Sequence, residues 1–294
     1  MSAFRHGLAT LALGSCALLS GCATNPAQTS ERVRVVAAER VYGDLARQLG
    51  GDRVDVTTIL DSPSADPHAF EPTARDADAI AAADIVIENG LGYDAFVDKL
   101  VAASPRAGRT LVNVGALGGH HTGDNPHVWY EGTSLRTLAN VLSSELTRRR
   151  GADGVALKRR RDAIVAWTAR YARRLDSLGR HHSGARVAIS EPVFDYVLHA
   201  ARIAIATPAS FSHAIEEGND PAPQDVGAMR ALFTGRRVAA LVYNEQTVEP
   251  STTRLLDEAR TARVPVVRVT ETLPANEQTQ AWIEREVSAL DRAL

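Results

Sequence analysis

From residue 33 onward, short β-branched runs alternate with longer amphipathic stretches. Apolar residues follow one another in VRVVA (33–37), RVDVTTI (53–59), DIVIEN (84–89) and LVNV (111–114), each short enough for a buried strand. Between them, the 3.6-residue period predicts helices over 39–49, 73–83 and 93–103. A second series contains RVAIS (186–190), RIAIAT (202–207), VAALVYN (238–244) and VPVVRV (264–269), with helices expected over 193–201, 223–234, 250–262 and 277–293. Strand and helix in alternation predict an α/β fold of two lobes, each a mostly parallel sheet flanked by helices. The stretch between the series is different. Residues 154–179 hold no proline and no internal glycine, and Leu157, Ile164, Trp167, Tyr171, Leu175 and Leu178 recur at steps of three, four or seven. One helix about 39 Å long is predicted, a strut running beside both lobes.

Composition narrows the class. The chain has 294 residues, 33 basic and 35 acidic side chains, a formal net charge of -2 and 45% hydrophobic residues. This near balance argues against a dedicated polyanion binder, so no nucleic-acid partner is expected. The cluster Lys158-Arg159-Arg160-Arg161, continued by Arg170, Arg173 and Arg174, reads as a solvated outer face of the strut.

Two cysteines cannot make a disulfide scaffold, and both fall in the first 22 residues. That segment carries Arg5 and His6, an apolar run over 8–19 and then small residues, the layout of a secretory signal. Leu19-Ser20-Gly21-Cys22 resembles the bacterial lipobox, in which the cysteine is lipidated and becomes the mature N-terminus; Leu13-Gly14-Ser15-Cys16 is a weaker second match. The expected organisation is a signal peptide over 1–22, a tether over 23–32, a first lobe over 33–150, a linker helix over 151–182 and a second lobe over 183–294. With Cys22 modified, no thiolate remains for a metal.

Ligands in parallel α/β sheets bind beyond the carboxyl ends of strands. His68, in DPHAFEPTARD, follows the second strand, and His127, in NPHVWYE, follows the fourth. In each, a preceding proline fixes one backbone angle close to the imidazole. In the second series Glu191 follows RVAIS and Glu271 follows VPVVRVT. Singly, either glutamate reads equally as a residue of a helix's first turn. Together the four residues make a nitrogen and oxygen set for a divalent cation between the lobes. Their separations of 59, 64 and 80 residues suit a cleft and not a zinc finger.

Over residues 33–294 the chain resembles the metal-binding lipoproteins and periplasmic proteins that serve ABC importers of zinc and manganese, the cluster A-I solute-binding proteins. DPHAFEPTARD and NPHVWYE resemble the family's two histidine motifs, ENGLGYDAFVDKL its motif after the third strand, and ISEPVFDYVLHAA the segment that supplies its third ligand, here Glu191. The fourth family ligand is an aspartate in a Leu-Asp-Pro-Leu context. This chain has Val269-Thr270-Glu271-Thr272-Leu273-Pro274 there, so Glu271 takes the position, with Glu245 as the substitute.

The resemblance implies two lobes joined by one long helix with limited motion, and a monomer that captures zinc or manganese and hands it to an ABC permease. It also implies a protein held outside the cytoplasm by its lipid anchor. Two carboxylates nudge the choice toward Mn(II), whereas the Irving-Williams order favours Zn(II). His120 and His121, in GGHHTGD, read as metal-catching residues or as a plain loop, and His181 and His182 as the strut's C-terminal end. Ligation by neutral imidazoles predicts affinity that falls below about pH 6. The competing class is a metal-dependent hydrolase using the same His and Glu residues; four ligands would close its site, and no H-E-x-x-H, G-x-S-x-G or P-loop pattern is present. A non-enzymatic carrier is therefore expected.

Overall fold

The computed structural model describes, apart from Met1, residues 32–62, 70–150 and 154–294. The expected signal peptide, Cys22, most of the tether and His68 lie outside the described residues.

The first lobe runs β1 (Val33–Glu39), α1 (Arg40–Gly50), β2 (Val54–Leu60), α2 (Ala74–Ala82), β3 (Ile85–Glu88), α3 (Ala95–Ala103), β4 (Thr110–Asn113), α4 (Val114–Gly118) and α5 (Gly132–Arg150). After α6 (Gly154–His181) come β5 (Arg186–Ile189), α7 (Asp195–Ala200), β6 (Ala204–Ile205), α8 (Ala209–Glu216), α9 (Pro223–Thr234), β7 (Ala240–Asn244), α10 (Pro250–Thr261), β8 (Val266–Val269) and α11 (Thr279–Ala293). The sheets have the orders β2-β1-β3-β4 and β6-β5-β7-β8, and every pairing is parallel. Each order reverses direction between its two central strands, which opens a crevice at their carboxyl ends. Two α/β lobes with helices on both faces are thus present, as the alternation predicted.

The strut is α6, 28 residues and about 42 Å long. Its buried stripe is Ile164, Trp167, Thr168, Tyr171, Leu175 and Leu178, the predicted one except that Thr168 is added and Leu157 is only half-buried. Gly179 is required near its end, because a Cβ there would lie 2.0 Å from the Ala201 carbonyl oxygen. One continuous apolar core includes β1 residues, the α5 and α6 stripes, Val187 and Ile189 of β5, Val242 of β7 and the buried face of α11. Because this core is shared, parting the lobes would expose close-packed surface.

Three expectations need correction. The strand expected over 202–207 is reduced to Ala204–Ile205, because the Thr207 hydroxyl takes the place of a backbone group, accepting from Ile189 N (2.8 Å) and ending the ladder. Arg160 is not simply solvated: its guanidinium reaches the Gly50 and Leu49 carbonyls at 3.2 and 3.4 Å, satisfying the open end of α1. His182 lies just beyond the end of α6 rather than in it, and its Nε2 is 2.9 Å from Asp291 of α11.

Local chemistry explains where helices start. Thr73 and Asp76 form a reciprocal capping box on α2, and Glu249 and Thr252 form one on α10, whose first residue is Pro250. On α11 the cap comes from a distant residue: Asp44 Oδ2 of α1 accepts from Thr279 N and Oγ1 at 2.8 and 2.7 Å, fastening the last helix to the first lobe. Among the described residues no helix is long and apolar enough to cross a membrane.

Candidate metal centre

His127 is fully buried between the ends of the two sheets. It follows Asn125-Pro126 and opens a single 3-10 turn, Val128–Tyr130, whose three side chains are all buried. The edges of Trp129 and Tyr93 flank its ring at centroid distances of 5.2 and 6.3 Å. Asn125 Oδ1 accepts from His127 N at 2.9 Å and lies 2.7 Å from Nδ1, while its amide nitrogen donates to the Pro192 carbonyl at 2.7 Å. That last bond fixes which end of the amide faces the ring. The oxygen must face Nδ1, so Nδ1 carries the proton and the neutral ring presents a bare Nε2.

What faces Nε2 is carboxylate. Glu271 Oε1 is 3.5 Å away and Glu216 Oε1 3.6 Å away, and Nε2 has no hydrogen-bond partner among the described residues. Glu191, 3% exposed, occupies the N-cap position of the turn Pro192–Phe194 but makes no capping bond, so the helix-start reading does not account for it. Its Oε2 accepts from Asn244 Nδ2 (2.7 Å) and Thr247 Oγ1 (3.1 Å), leaving Oε1 buried with no hydrogen-bond partner among the described residues. Glu271 is equally buried. Tyr93 donates to its Oε1 at 2.7 Å, and Gln246 Oε1 accepts from the backbone N–H groups of Glu271 and Thr272, which sets the loop. Glu245, the sequence substitute, instead lies half-exposed beside Arg268.

Three of the four expected residues, His127, Glu191 and Glu271, thus converge; the fourth, His68, lies outside the described residues. Among the described residues no group of three or more such donors is close enough as it stands to hold an ion.

The electrostatics are those of a place that wants a cation. Burial and the neighbouring charges of Glu271 and Glu216 push the Glu191 carboxyl up to about 7, against the pull of its bonds from Asn244 and Thr247. Asp195 is likewise pushed up to about 7 by burial and by Glu216, with His127 opposing. For His127, burial alone would lower the pKa, but Glu216, Glu271 and Glu191 together raise it above its ordinary value. Among the described residues neither Glu191 nor Asp195 has a lysine or arginine ion-pair partner. Buried carboxylates gathered around a bare imidazole nitrogen repel one another until a proton or a metal ion enters, and nitrogen plus carboxylate is a donor set for a divalent transition metal.

His120 is not in this group. Its Nε2 is 3.0 Å from Glu131 Oε2 and its ring meets the edge of Tyr196, while His121 is exposed beside Asp124. Sequence reasoning missed Glu216, Asn244 and Asn125. The strand-end rule that found Glu191 would also have found Asn244, the last residue of β7.

The family described as zinc-uptake complex component A, periplasmic, matches residues 35–293. The chain belongs to this family. Among curated proteins it is similar to the manganese-binding lipoprotein MntA of Halalkalibacterium halodurans, 27% identical over 45% of this chain and 46% of that one. It is also similar to the iron-binding protein YfeA of Yersinia pestis, 28% identical over 36% and 35%. The chain therefore spans less than half the length of these relatives in the matched regions. Solved structures with the same fold include ZnuA (TM-score 0.72, 17% identity, 90% of this chain and 99% of that chain). Others are the solute-binding protein FpvC of Pseudomonas aeruginosa in complex with Mn2+ (0.71, 20%, 90% and 98%) and the laminin-binding protein Lmb of Streptococcus agalactiae (0.74, 15%, 90% and 99%).

Within this family member, Asn125 is the residue on which the His127 tautomer depends, and it ties the lobes together through Pro192 and through Tyr196, whose hydroxyl donates to the Asn125 carbonyl at 2.8 Å. Asn125→Ala frees the ring to rotate and to bind its proton at either nitrogen. Metal affinity measured by competition with a chelating dye is expected to fall about 10- to 100-fold, the range for removing a partner that orients a ligand. An unchanged affinity would mean that packing by Trp129 and Tyr93 alone orients the imidazole.

Proposed function

We propose that this protein is an extracytoplasmic solute-binding protein that captures a divalent transition metal ion between its lobes and delivers it to the permease of an ABC importer. The observation that carries the reading is the buried Nε2 of His127, turned by Asn125 toward the carboxylates of Glu271 and Glu216, with Glu191 Oε1 also lacking a hydrogen-bond partner. His68, His127, Glu191 and Glu271 are the proposed ligands. The names of the relatives support manganese, zinc or iron as the cargo, and a mixed nitrogen and carboxylate set accommodates all three. Two neutral imidazoles and two carboxylates place a charge of -2 around the divalent ion, which it neutralises. Anchoring through Cys22 fits a protein that waits beside its permease, and the shared core suits a carrier whose lobes move little on loading.

The test is metal content. Protein purified without chelators from metal-replete cells and analysed by mass spectrometry is expected to carry one transition-metal ion per chain, removable by chelation and restored stoichiometrically by Zn(II), Mn(II) or Fe(II). Refolded, chelator-treated protein that takes up none of the three refutes the reading.

A further inference from the structure

The bare nitrogen of His127 faces two carboxylates at nearly equal distances, and only one of them, Glu271, belongs to the ligand set taken from strand ends. The other is Glu216, 3.6 Å from Nε2 against 3.5 Å for Glu271. We propose that Glu216 is a fifth donor to the captured ion, and that this third carboxylate turns a zinc-like four-donor site into one that prefers a harder ion of higher coordination number, Mn(II). The inference rests on the metal-capture reading above and names the cargo within it.

Helix stability does not explain the position of Glu216. It is the last residue of α8, where the helix carries its partial negative charge and a carboxylate is disfavoured. The neighbouring residue, Glu217, is exposed, whereas the Glu216 side chain is only 14% exposed and is turned toward His127. A divalent cation bound between Glu216 and Glu271 would meet the facing carboxylates and the negative end of α8 together. The independent pointer to a ligand is the pair of buried atoms without hydrogen-bond partners, His127 Nε2 and Glu191 Oε1.

The consequence for selectivity follows from coordination chemistry. His68, His127, Glu191 and Glu271 supply four donors, enough for the tetrahedral shell that Zn(II) prefers. Adding Glu216 raises the donor count to five, or to six where one carboxylate binds through both oxygens, and brings the charge of the ligand set to -3. Oxygen-rich shells of that size suit Mn(II), whereas Zn(II) gains little from donors beyond four.

The experiment compares wild-type protein with Glu216→Gln and Glu216→Ala, titrating Mn(II) and Zn(II) separately against a competing chelator, with X-ray absorption at the manganese edge on the loaded proteins. Mn(II) affinity is expected to fall about 10-fold or more in both variants and Zn(II) affinity by no more than about 3-fold, with fewer first-shell oxygens around manganese in the alanine variant. Equal losses for the two metals, or no loss, overturn the proposal. So does a gain in affinity, because Glu216 would then be a counter-ion that holds His127 protonated and competes with metal. Thermal unfolding of the metal-free variants establishes that they fold, and a variant that does not fold shows that Glu216 serves the fold, which also overturns the assignment. Wild-type protein that binds neither metal refutes the metal-capture reading itself, an outcome distinct from all of these.

Discussion

Replacing His127 with alanine is expected to abolish tight metal capture, with an affinity loss beyond the roughly 100-fold that removing an orienting partner can produce. The imidazole sits at the meeting point of the site: Asn125 holds one nitrogen, and the other faces carboxylates contributed by α8 and by the loop after β8. Truncation removes the only nitrogen donor among the described site residues, and Glu191, Glu216 and Glu271 then repel one another without an intervening base. The flanking Trp129 and Tyr93 supply no metal-ligating nitrogen in its place, the Tyr93 hydroxyl being already bonded to Glu271 Oε1. His120→Ala is the control. It removes a histidine of the same loop region whose partner is Glu131, and affinity should change little. Competition titrations of both variants decide the matter; comparable effects would show that His127 acts through folding and not through ligation.

The parts of this architecture that could be read in the sequence are those with a local signature. Strand cores such as residues 35–38 within β1 and 240–243 within β7 show because residues buried on both faces form short apolar runs. The strut shows because a helix buried on one side must repeat its apolar residues, and Tyr171, Leu175 and Leu178 do so. That His127, Glu191 and Glu271 approach one another was legible because loops leaving the carboxyl ends of parallel strands gather on one side of the sheets.

Features set by distant partners were not legible. α8 is only eight residues long and carries at its last position the carboxylate that faces His127, which no periodicity distinguishes from the exposed Glu217 beside it. Arg160 belongs to a basic run that reads as solvated, yet its partners are carbonyls 110 and 111 residues away. The shortening of β6 depends on the Thr207 hydroxyl taking the N–H of Ile189, a pairing between residues 18 apart that composition does not show.

The pH dependence of loading is expected to be displaced upward from that of an ordinary histidine site. Loss of affinity below about pH 6 follows from an unperturbed imidazole, but His127 holds its proton to higher pH. Burial works against that proton, and the charges of Glu216, Glu271 and Glu191 outweigh it. Glu191 also keeps its proton up to about pH 7, through burial and the charges of Glu271 and Glu216. A metal ion must displace both protons. Affinity should therefore begin to fall at about pH 7 and steepen toward two decades per pH unit once both groups are protonated in the free protein.

Stability of the metal-free protein moves the other way. Glu191 and Asp195 titrate near 7 when folded and near 4 when unfolded, so between those values the folded state holds more protons and unfolding becomes easier as pH rises. His127 acts in the same direction: its raised pKa contributes stability fully below the unfolded value near 6.5, and that contribution disappears as pH rises through the folded value. Each of the two carboxyls represents on the order of 3 kcal/mol. Metal-free protein should thus unfold about 10 °C or more lower at pH 8 than at pH 5, while the stabilisation produced by added metal grows over the same interval. Calorimetric scans across that range, with and without metal, test both slopes together. A metal-free melting temperature that rose from pH 5 to pH 8 would mean that these carboxylates are ionised and compensated before any ion arrives.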